Sequence, residues 1–271
     1  MPMSTSPDPA AFETLLVHRS GGVTTVTMNR PARKNAANGT MWRELLAVFD
    51  EVALDRDTHV MVLTGAGDAF CSGADLGDTG DLAGRPGDPY LVQMRALADV
   101  ALRLHRIPKP TVAKVGGIAA GAGMSMAVGC DLVVASDRAR FSQIFSRRGL
   151  SVDFGSSWLL PRLIGLHRAK ELAFFADILS ADEAASFGLV NRVVPHDELD
   201  ATVDEWAARL AAGPPLALSM TKTMLNNAMA VSMEQALEDE ARSQAANFGT
   251  ADTAEAIRAF VEKRDPAFTG H

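Results

Sequence analysis

The sequence predicts an α/β domain with a helical C-terminal extension. Three features predict it. Apolar, β-rich runs alternate with stretches of helical spacing as far as residue 197, two glycine-rich loops each follow one of those runs, and beyond 198 only helical spacing remains. No Pro/Ser/Gly-rich linker divides the middle of the 271 residues. The reading is therefore a flexible N-terminus over 1–11, an α/β core over 12–197 and a helical, self-associating region over 198–271.

In order, 14–18 and 23–28 read as strands joined into a hairpin at Ser20-Gly21-Gly22, and Asn29-Arg30-Pro31 stops the second. Residues 32–39 form a loop, and from Thr40 a helix presents Met41, Leu45, Val48 and Val52 on one face. Residues 60–64 are a short apolar strand. A glycine-rich loop over 65–77 follows, then 77–90, whose Gly, Pro and Asp content marks a surface segment and a candidate lid. A helix over 91–106 breaks at Ile107-Pro108-Lys109-Pro110, and 111–115 is the next buried strand, reached by a right-handed crossover. Residues 132–135, 139–141 and 189–194 are further strands, and 142–155 is irregular. Helices start near 122 and 155, run over 167–176 and 181–187, and then occupy 198–212, 215–228, 232–247 and 252–263.

Composition narrows the function. Hydrophobic residues make up 47% of the chain, enough for a sizeable core. The 26 Lys and Arg against 33 Asp and Glu give a net charge of −7 without a dense basic run, which argues against a nucleic-acid or membrane partner. Neither a basic, apolar leader nor a bilayer-length apolar run is visible, so the expectation is a soluble cytoplasmic protein. Cys71 and Cys130 sit among small apolar residues and read as buried free thiols, in keeping with a reducing compartment. No His, Cys, Asp or Glu cluster has metal-ligand spacing.

The stretch over 114–131, KVGGIAAGAGMSMAVGCD, passes from a strand through small residues into an apolar helix. Glycine and alanine let other atoms approach the main chain there, and the first helical turn leaves N–H groups free to face an anion. An oxyanion developing on a reacting carbonyl is held in the same way. Neither glycine loop reads GxGxxG directly after a strand and no GxxxxGK[ST] occurs, so nucleotide sites are unsupported. Gly123-Met124-Ser125-Met126-Ala127 approximates the nucleophile elbow of serine hydrolases, with His167, His196 or His271 as the base. Its strand, however, ends at about 115 rather than at the first glycine.

Ala69-Phe70-Cys71-Ser72-Gly73-Ala74-Asp75-Leu76 and, some forty residues on, Val115-Gly116-Gly117-Ile118-Ala119-Ala120-Gly121-Ala122-Gly123 with Cys130-Asp131 form an ordered pair. The pair resembles the enoyl-CoA hydratase/isomerase (crotonase) superfamily. The likeness extends through Asn29-Arg30-Pro31, Asn35-Ala36, Leu179-Ser180-Ala181, Gly188-Leu189-Val190 and Ala259-Phe260-Val261-Glu262-Lys263-Arg264, covering about 12–268. It implies a crotonase (ClpP/crotonase-like) fold of repeated ββα units, an acyl-CoA thioester as substrate, and a homotrimer or pair of trimers. Coenzyme A then enters as part of the substrate, with no permanently bound cofactor. Carried over by position, the oxyanion donors are the N–H groups of Ala74 and Ala122. Ser72 and the main chain of Ala74, Asp75 and Leu76 then line the pantetheine path, with Arg33 and Lys34 near the adenosine phosphates. Lys263 of a neighbouring subunit reaches coenzyme A; these cations equally suit a plain solvated surface.

The two glutamates with which hydratases of this family activate water fall here on Ser125 and Phe145, both near the substrate and neither a carboxylate. Eight residues after Phe145 stands Asp153, in a segment resembling the branch that contains isomerases of phenylacetate degradation and Δ3,Δ2-enoyl-CoA isomerases, where an aspartate is the acid/base. Ile144, Phe145, Phe154 and Trp158 are near it in sequence, and an apolar pocket raises a carboxyl pKa. Asp153 also stands where an aspartate caps the helix that starts near Gly155. The expected function is enoyl-CoA double-bond isomerisation with Asp153 as the one acid/base. Hydration by an atypical site and non-catalytic binding of CoA esters are the alternatives.

Overall fold

The computed structural model describes residues 12–77 and 87–271. The larger of its two sheets has the order β1 (Leu15–Ser20), β2 (Val23–Met28), β3 (Val60–Gly65), β5 (Thr111–Val115), β7 (Leu132–Ser136), β10 (Arg192–Val194). Among the described strands of this sheet only β1 and β2 pair antiparallel, across Gly21 and Gly22 at φ 58° and 79°, the left-handed pair that a two-residue hairpin turn demands. The smaller sheet has the order β4 (Ala69–Cys71), β6 (Ile118–Ala120), β8 (Arg140–Ser142), β9 (Leu179–Ser180).

Both faces of the larger sheet are covered, which is why its strands read as continuous apolar runs. Met61, Leu63, Ala113, Val115, Val133 and Ala135 pack with α1 (Gly39–Leu54), α2 (Tyr90–Arg106) and α3 (Ala122–Gly129). Val60, Val62, Val112 and Val134 face the other way, under Leu199, Val203, Ala207 and Ala211 of α7 (Leu199–Ala211). The first helix beyond residue 198 thus closes the second face of the sheet. Helix α1 starts where the Asn38 side chain accepts from Met41 N–H and buries Met41, Leu45, Val48 and Val52, with Trp42 and Phe49 beside them. Between the sheets and α7 the chain adds α4 (Ser156–Ile164), α5 (Leu166–Phe175) and α6 (Ala181–Phe187). A capping box between Ser180 and Glu183 starts α6. The chain ends in α8 (Pro215–Asn227), α9 (Met233–Phe248) and α10 (Ala251–Glu262).

Three local expectations need correction. Strands β4 and β6 lie within the stretches read as glycine loops. Each is three residues long, too short for a periodic signal, and they exist because they pair with each other. The strand expected over 189–194 is confined to Arg192–Val194, because Leu189 N–H returns to Ala184 O as part of the end of α6. Within the segment read as irregular, Ile144–Arg148 forms a 3-10 turn. The flexible N-terminus expected over 1–11, and residues 78–86 of the candidate lid, lie outside the described residues. Among the described residues no helix is long and apolar enough to cross a membrane. Cys71 and Cys130 are buried and free, and burial pushes their thiols up to about 11 and about 12.

Candidate active site

The first glycine loop is positioned by Asn35. This side chain is fully buried, accepts from Arg30 N–H at 2.9 Å and donates to Ala66 O at 2.9 Å and Ala69 O at 2.8 Å. It anchors the segment that carries Ala37, which forms a lone parallel bridge with Ala74. Ala37 N–H donates to Gly73 O at 2.8 Å and Asp75 N–H to Ala37 O at 2.9 Å, so the N–H of Ala74 itself points away from Ala37. Asp75 is held in turn by Arg30, Nη2 to Oδ2 2.9 Å, with both side chains mostly buried.

The second glycine loop delivers β6 into α3, whose residues from Ala122 to Val128 are all buried. Close approach explains the small residues. A Cβ on Gly123 would stand 2.1 Å from Cys71 O, and one on Gly73 would stand 2.9 Å from Ala120 O and 3.7 Å from Ala122 N. The two loops therefore touch main chain to main chain. Among the described residues neither Ala74 N–H nor Ala122 N–H has an acceptor. Two unpaired donors at such a contact suit an anionic or strongly polarised oxygen.

Asp153 sits in the turn before α4. Phe154 and Gly155 follow it at φ 49° and 81°, and Phe154 is buried with its ring 5.5 Å from Trp42. A non-glycine residue in the left-handed region is a strained choice that the buried ring sustains. The side chain of Asp153 does not cap α4: the cap position is Gly155, and Ser156 N–H donates to the main-chain Asp153 O at 3.0 Å. Oδ1 of Asp153 is buried and, among the described residues, unpartnered. Burial raises the Asp153 carboxyl from 3.8 to about 7.

Ser125, on α3, is fully buried and joins this turn to the second loop. Its Oγ donates to Gly121 O at 3.0 Å and lies 2.6 Å from Ser156 Oγ, which accepts from Gln143 Nε2 at 3.1 Å. Among the described residues no histidine stands among its partners; His196 Nδ1 lies 3.1 Å from Ser136 Oγ instead, so the triad of a serine hydrolase is not assembled there. Gln143 and Ser156 had no sequence signal, since their partners are distant in the chain.

The remaining sequence candidates are spread out. Phe145 is buried, with Cζ 3.7 Å from where a Gly121 Cβ would be, beside the start of α3. Arg33 and Lys34 are exposed and adjoin the first loop, where Ser72 N–H donates to Lys34 O at 3.0 Å and Ser72 Oγ to Arg33 O at 3.3 Å. Leu76 is half exposed. Lys263 is exposed at the end of α10. Trp158 lines a cavity of about 720 Å³ together with Leu104, His105, Phe154, Lys222 and Asn226. Lys222 in that cavity pairs with Asp131 at 2.7 Å, and Asp131 also accepts from Thr111 N–H at 2.7 Å, so the Cys130-Asp131 end of the motif secures α8 to the core.

Two glycine loops in main-chain contact, each with an amide unpaired among the described residues, and a buried acid in a turn tied to the second loop through Ser156 and Ser125, set in this pair of sheets, define a crotonase-type fold. The model of the enoyl-CoA hydratase/isomerase family matches residues 18–271, and the chain belongs to that family, as an enzyme of the hydratase/isomerase kind. It is 38% identical to the 1,2-epoxyphenylacetyl-CoA isomerase of Escherichia coli over 96% of this chain and 99% of the relative. It is 35% identical to the short-chain-enoyl-CoA hydratase of Clostridium acetobutylicum over 92% of this chain and 95% of the relative. The crystal structure of an enoyl-CoA hydratase from Bacillus anthracis superposes with a TM-score of 0.90 at 30% identity, covering 96% of this chain and all of that one.

Proposed function

We propose that the protein is an enoyl-CoA double-bond isomerase. In this reading the N–H groups of Ala74 and Ala122 hold the thioester oxygen, and Asp153 is the one group that moves a proton. The observation that carries it is the state of Asp153: a carboxyl raised by burial to about 7, with Oδ1 buried and, among the described residues, unbonded, beside a helix it does not cap. A group so placed is ionised often enough near neutrality to take a proton and acidic enough to give it back.

Migration of a double bond needs no second acid. Asp153 removes a proton from the α-carbon of a 3-enoyl thioester, the C–H electrons enter the conjugated system, and negative charge develops on the thioester oxygen between the two amides. The same carboxyl then protonates the γ-carbon, the charge returns to the carbonyl, and the product is the conjugated 2-enoyl thioester. Each amide contributes roughly 2.7–4 kcal/mol if it binds the developing oxyanion better than the starting carbonyl. Arg33 and Lys34, exposed beside Ser72, suit the phosphates of coenzyme A, with Asp75, Leu76 and Ala122 along the path to the amides and Phe145 against the acyl end. Lys263 serves a neighbouring copy in a trimer or pair of trimers, for which the exposed Phe248, Phe260 and Val261 of the C-terminal helices offer the apolar surface.

Hydration is the second reading, favoured by the hydratase among the relatives. It needs a water held and activated at the double bond. Ser125 is occupied by Gly121 O and Ser156, and Phe145 carries no polar atom, so isomerisation is preferred. Asp153→Asn tests the choice of base: turnover falls by about 10²–10⁴ while affinity for a saturated acyl-CoA stays within twofold or so. Turnover at the wild-type rate would remove Asp153 from the mechanism.

A further inference from the structure

We infer that the hydrogen-bonded series Gln143, Ser156, Ser125 strengthens the Ala122 N–H as an oxyanion donor by polarising the Gly121–Ala122 peptide group. Its three side chains are positioning residues, and the inference rests on the oxyanion reading proposed above.

The direction of the series follows from counting hydrogens. Ser125 Oγ spends its one hydrogen on Gly121 O, at 3.0 Å. The 2.6 Å contact between Ser125 Oγ and Ser156 Oγ must then be donated by Ser156. Ser156, its hydrogen spent, accepts from Gln143 Nε2 at 3.1 Å. Every donor points toward Gly121 O, which also receives Ser125 N–H at 3.0 Å. The carbonyl of this peptide accepts two hydrogen bonds, and its N–H is that of Ala122, which has no acceptor among the described residues.

A peptide group is a single conjugated unit. Hydrogen bonds to its oxygen draw density from nitrogen and make the N–H a stronger donor. Ser125, Gln143 and Ser156 are each no more than 1% exposed, so water does not damp the effect. Gly121 N–H, of the preceding peptide, is tied to Ser142 O at 2.8 Å, which fixes the residue from which the unit starts. A plain packing role would require only that the three polar groups satisfy one another. It would not require that their hydrogens all run toward a single carbonyl, and one whose partner amide has no acceptor among the described residues. Ser156 N–H also binds Asp153 O, so the same residue ties the acid-bearing turn to the donor peptide.

The test reads the bound carbonyl directly. Butyryl-CoA carrying a carbon-13 thioester carbonyl is bound to the full-length protein, and its stretching frequency is measured by infrared difference spectroscopy. Wild type displaces the band to lower frequency. In Ser125→Ala the displacement shrinks by about 10–30% per hydrogen bond removed from the series, with Kd little changed. Ser156→Ala and Gln143→Leu give progressively smaller losses. The matching fall in kcat is about two- to eightfold, that fraction of one donor's roughly 10²–10³-fold contribution taken in the exponent, with KM unaffected. Melting curves identify any variant that has lost its fold, and the remaining variants of the three then decide. An undiminished displacement in the folded variants overturns the inference and leaves the oxyanion reading intact. No displacement in wild type overturns the oxyanion reading, and this inference with it.

Discussion

Among the described residues, Asp153 and Ser156 are joined through the main chain alone: the Asp153 carbonyl accepts Ser156 N–H at 3.0 Å, while the Asp153 carboxyl leaves Oδ1 buried without a partner. An aspartate three residues before a helical N–H ordinarily uses its side chain for that bond. Here the left-handed Phe154 and Gly155 turn the chain so that the backbone does the capping and the carboxyl is left over. A buried acid without a structural bond is a costly feature, and several expectations follow from its cost.

Catalysis by Asp153 as a base requires the carboxylate. With its carboxyl raised to about 7 by burial, kcat/KM rises with pH through about 7 and reaches a plateau above it. Below that value it falls about tenfold per pH unit. A pH profile on a non-sticky substrate reads this directly; a midpoint in the ordinary carboxylate range would mean that the pocket does not desolvate Asp153 as described.

Stability carries the opposite sign. The folded carboxyl lies above its unfolded value of 3.8, so the folded state binds more protons between the two values and loses stability as pH rises through about 7. Asp153→Asn removes that penalty. Urea denaturation at pH 8 is expected to show the variant more stable by on the order of 2–4 kcal/mol, the gain shrinking towards pH 4. A variant less stable than wild type at both pH values contradicts it.

Gly123→Ala probes the contact between the loops. The added Cβ would stand 2.1 Å from Cys71 O, so the loops must separate. The expected cost is about 1–3 kcal/mol of stability together with most of the turnover. Gly129→Ala, on the same helix, meets Leu104 Cδ2 at an ordinary 3.5 Å and should fold and turn over as wild type does. Equal behaviour of the two variants would show that the approach at Gly123 is not needed.

Self-association is expected from the C-terminal helices, where Phe260 and Val261 are 82% and 74% exposed in the single chain. Sedimentation should give a trimer or a pair of trimers, and Phe260→Glu with Val261→Glu should shift it towards monomer. A wild-type monomer at micromolar concentration would leave Lys263 without a neighbouring site to serve.

The hairpin, the apolar strands and most helices were legible because their periodicity is local: Met41, Leu45, Val48 and Val52 repeat at helical spacing and are all buried on α1. Strands β4 and β6 were not, since three-residue strands have no period and are defined by pairing across about fifty residues of chain. At the site, the resemblance carried by the two ordered glycine loops implied Ala74 and Ala122, and the likeness to the aspartate-bearing isomerase branch implied Asp153. Gln143 and Ser156 gave no signal because a buried amide and hydroxyl look like any others until the fold brings Ser125 to them.

The most direct test offers the purified protein a 3-enoyl-CoA and, separately, a 2-enoyl-CoA, and follows thioester conjugation by absorbance and product mass. Single-carboxylate isomerisation predicts the conjugated 2-enoyl product at unchanged mass from the first, and no gain of water by the second. A product heavier by one water from the 2-enoyl substrate, with no conversion of the 3-enoyl one, would contradict it and require a water-activating group other than Asp153.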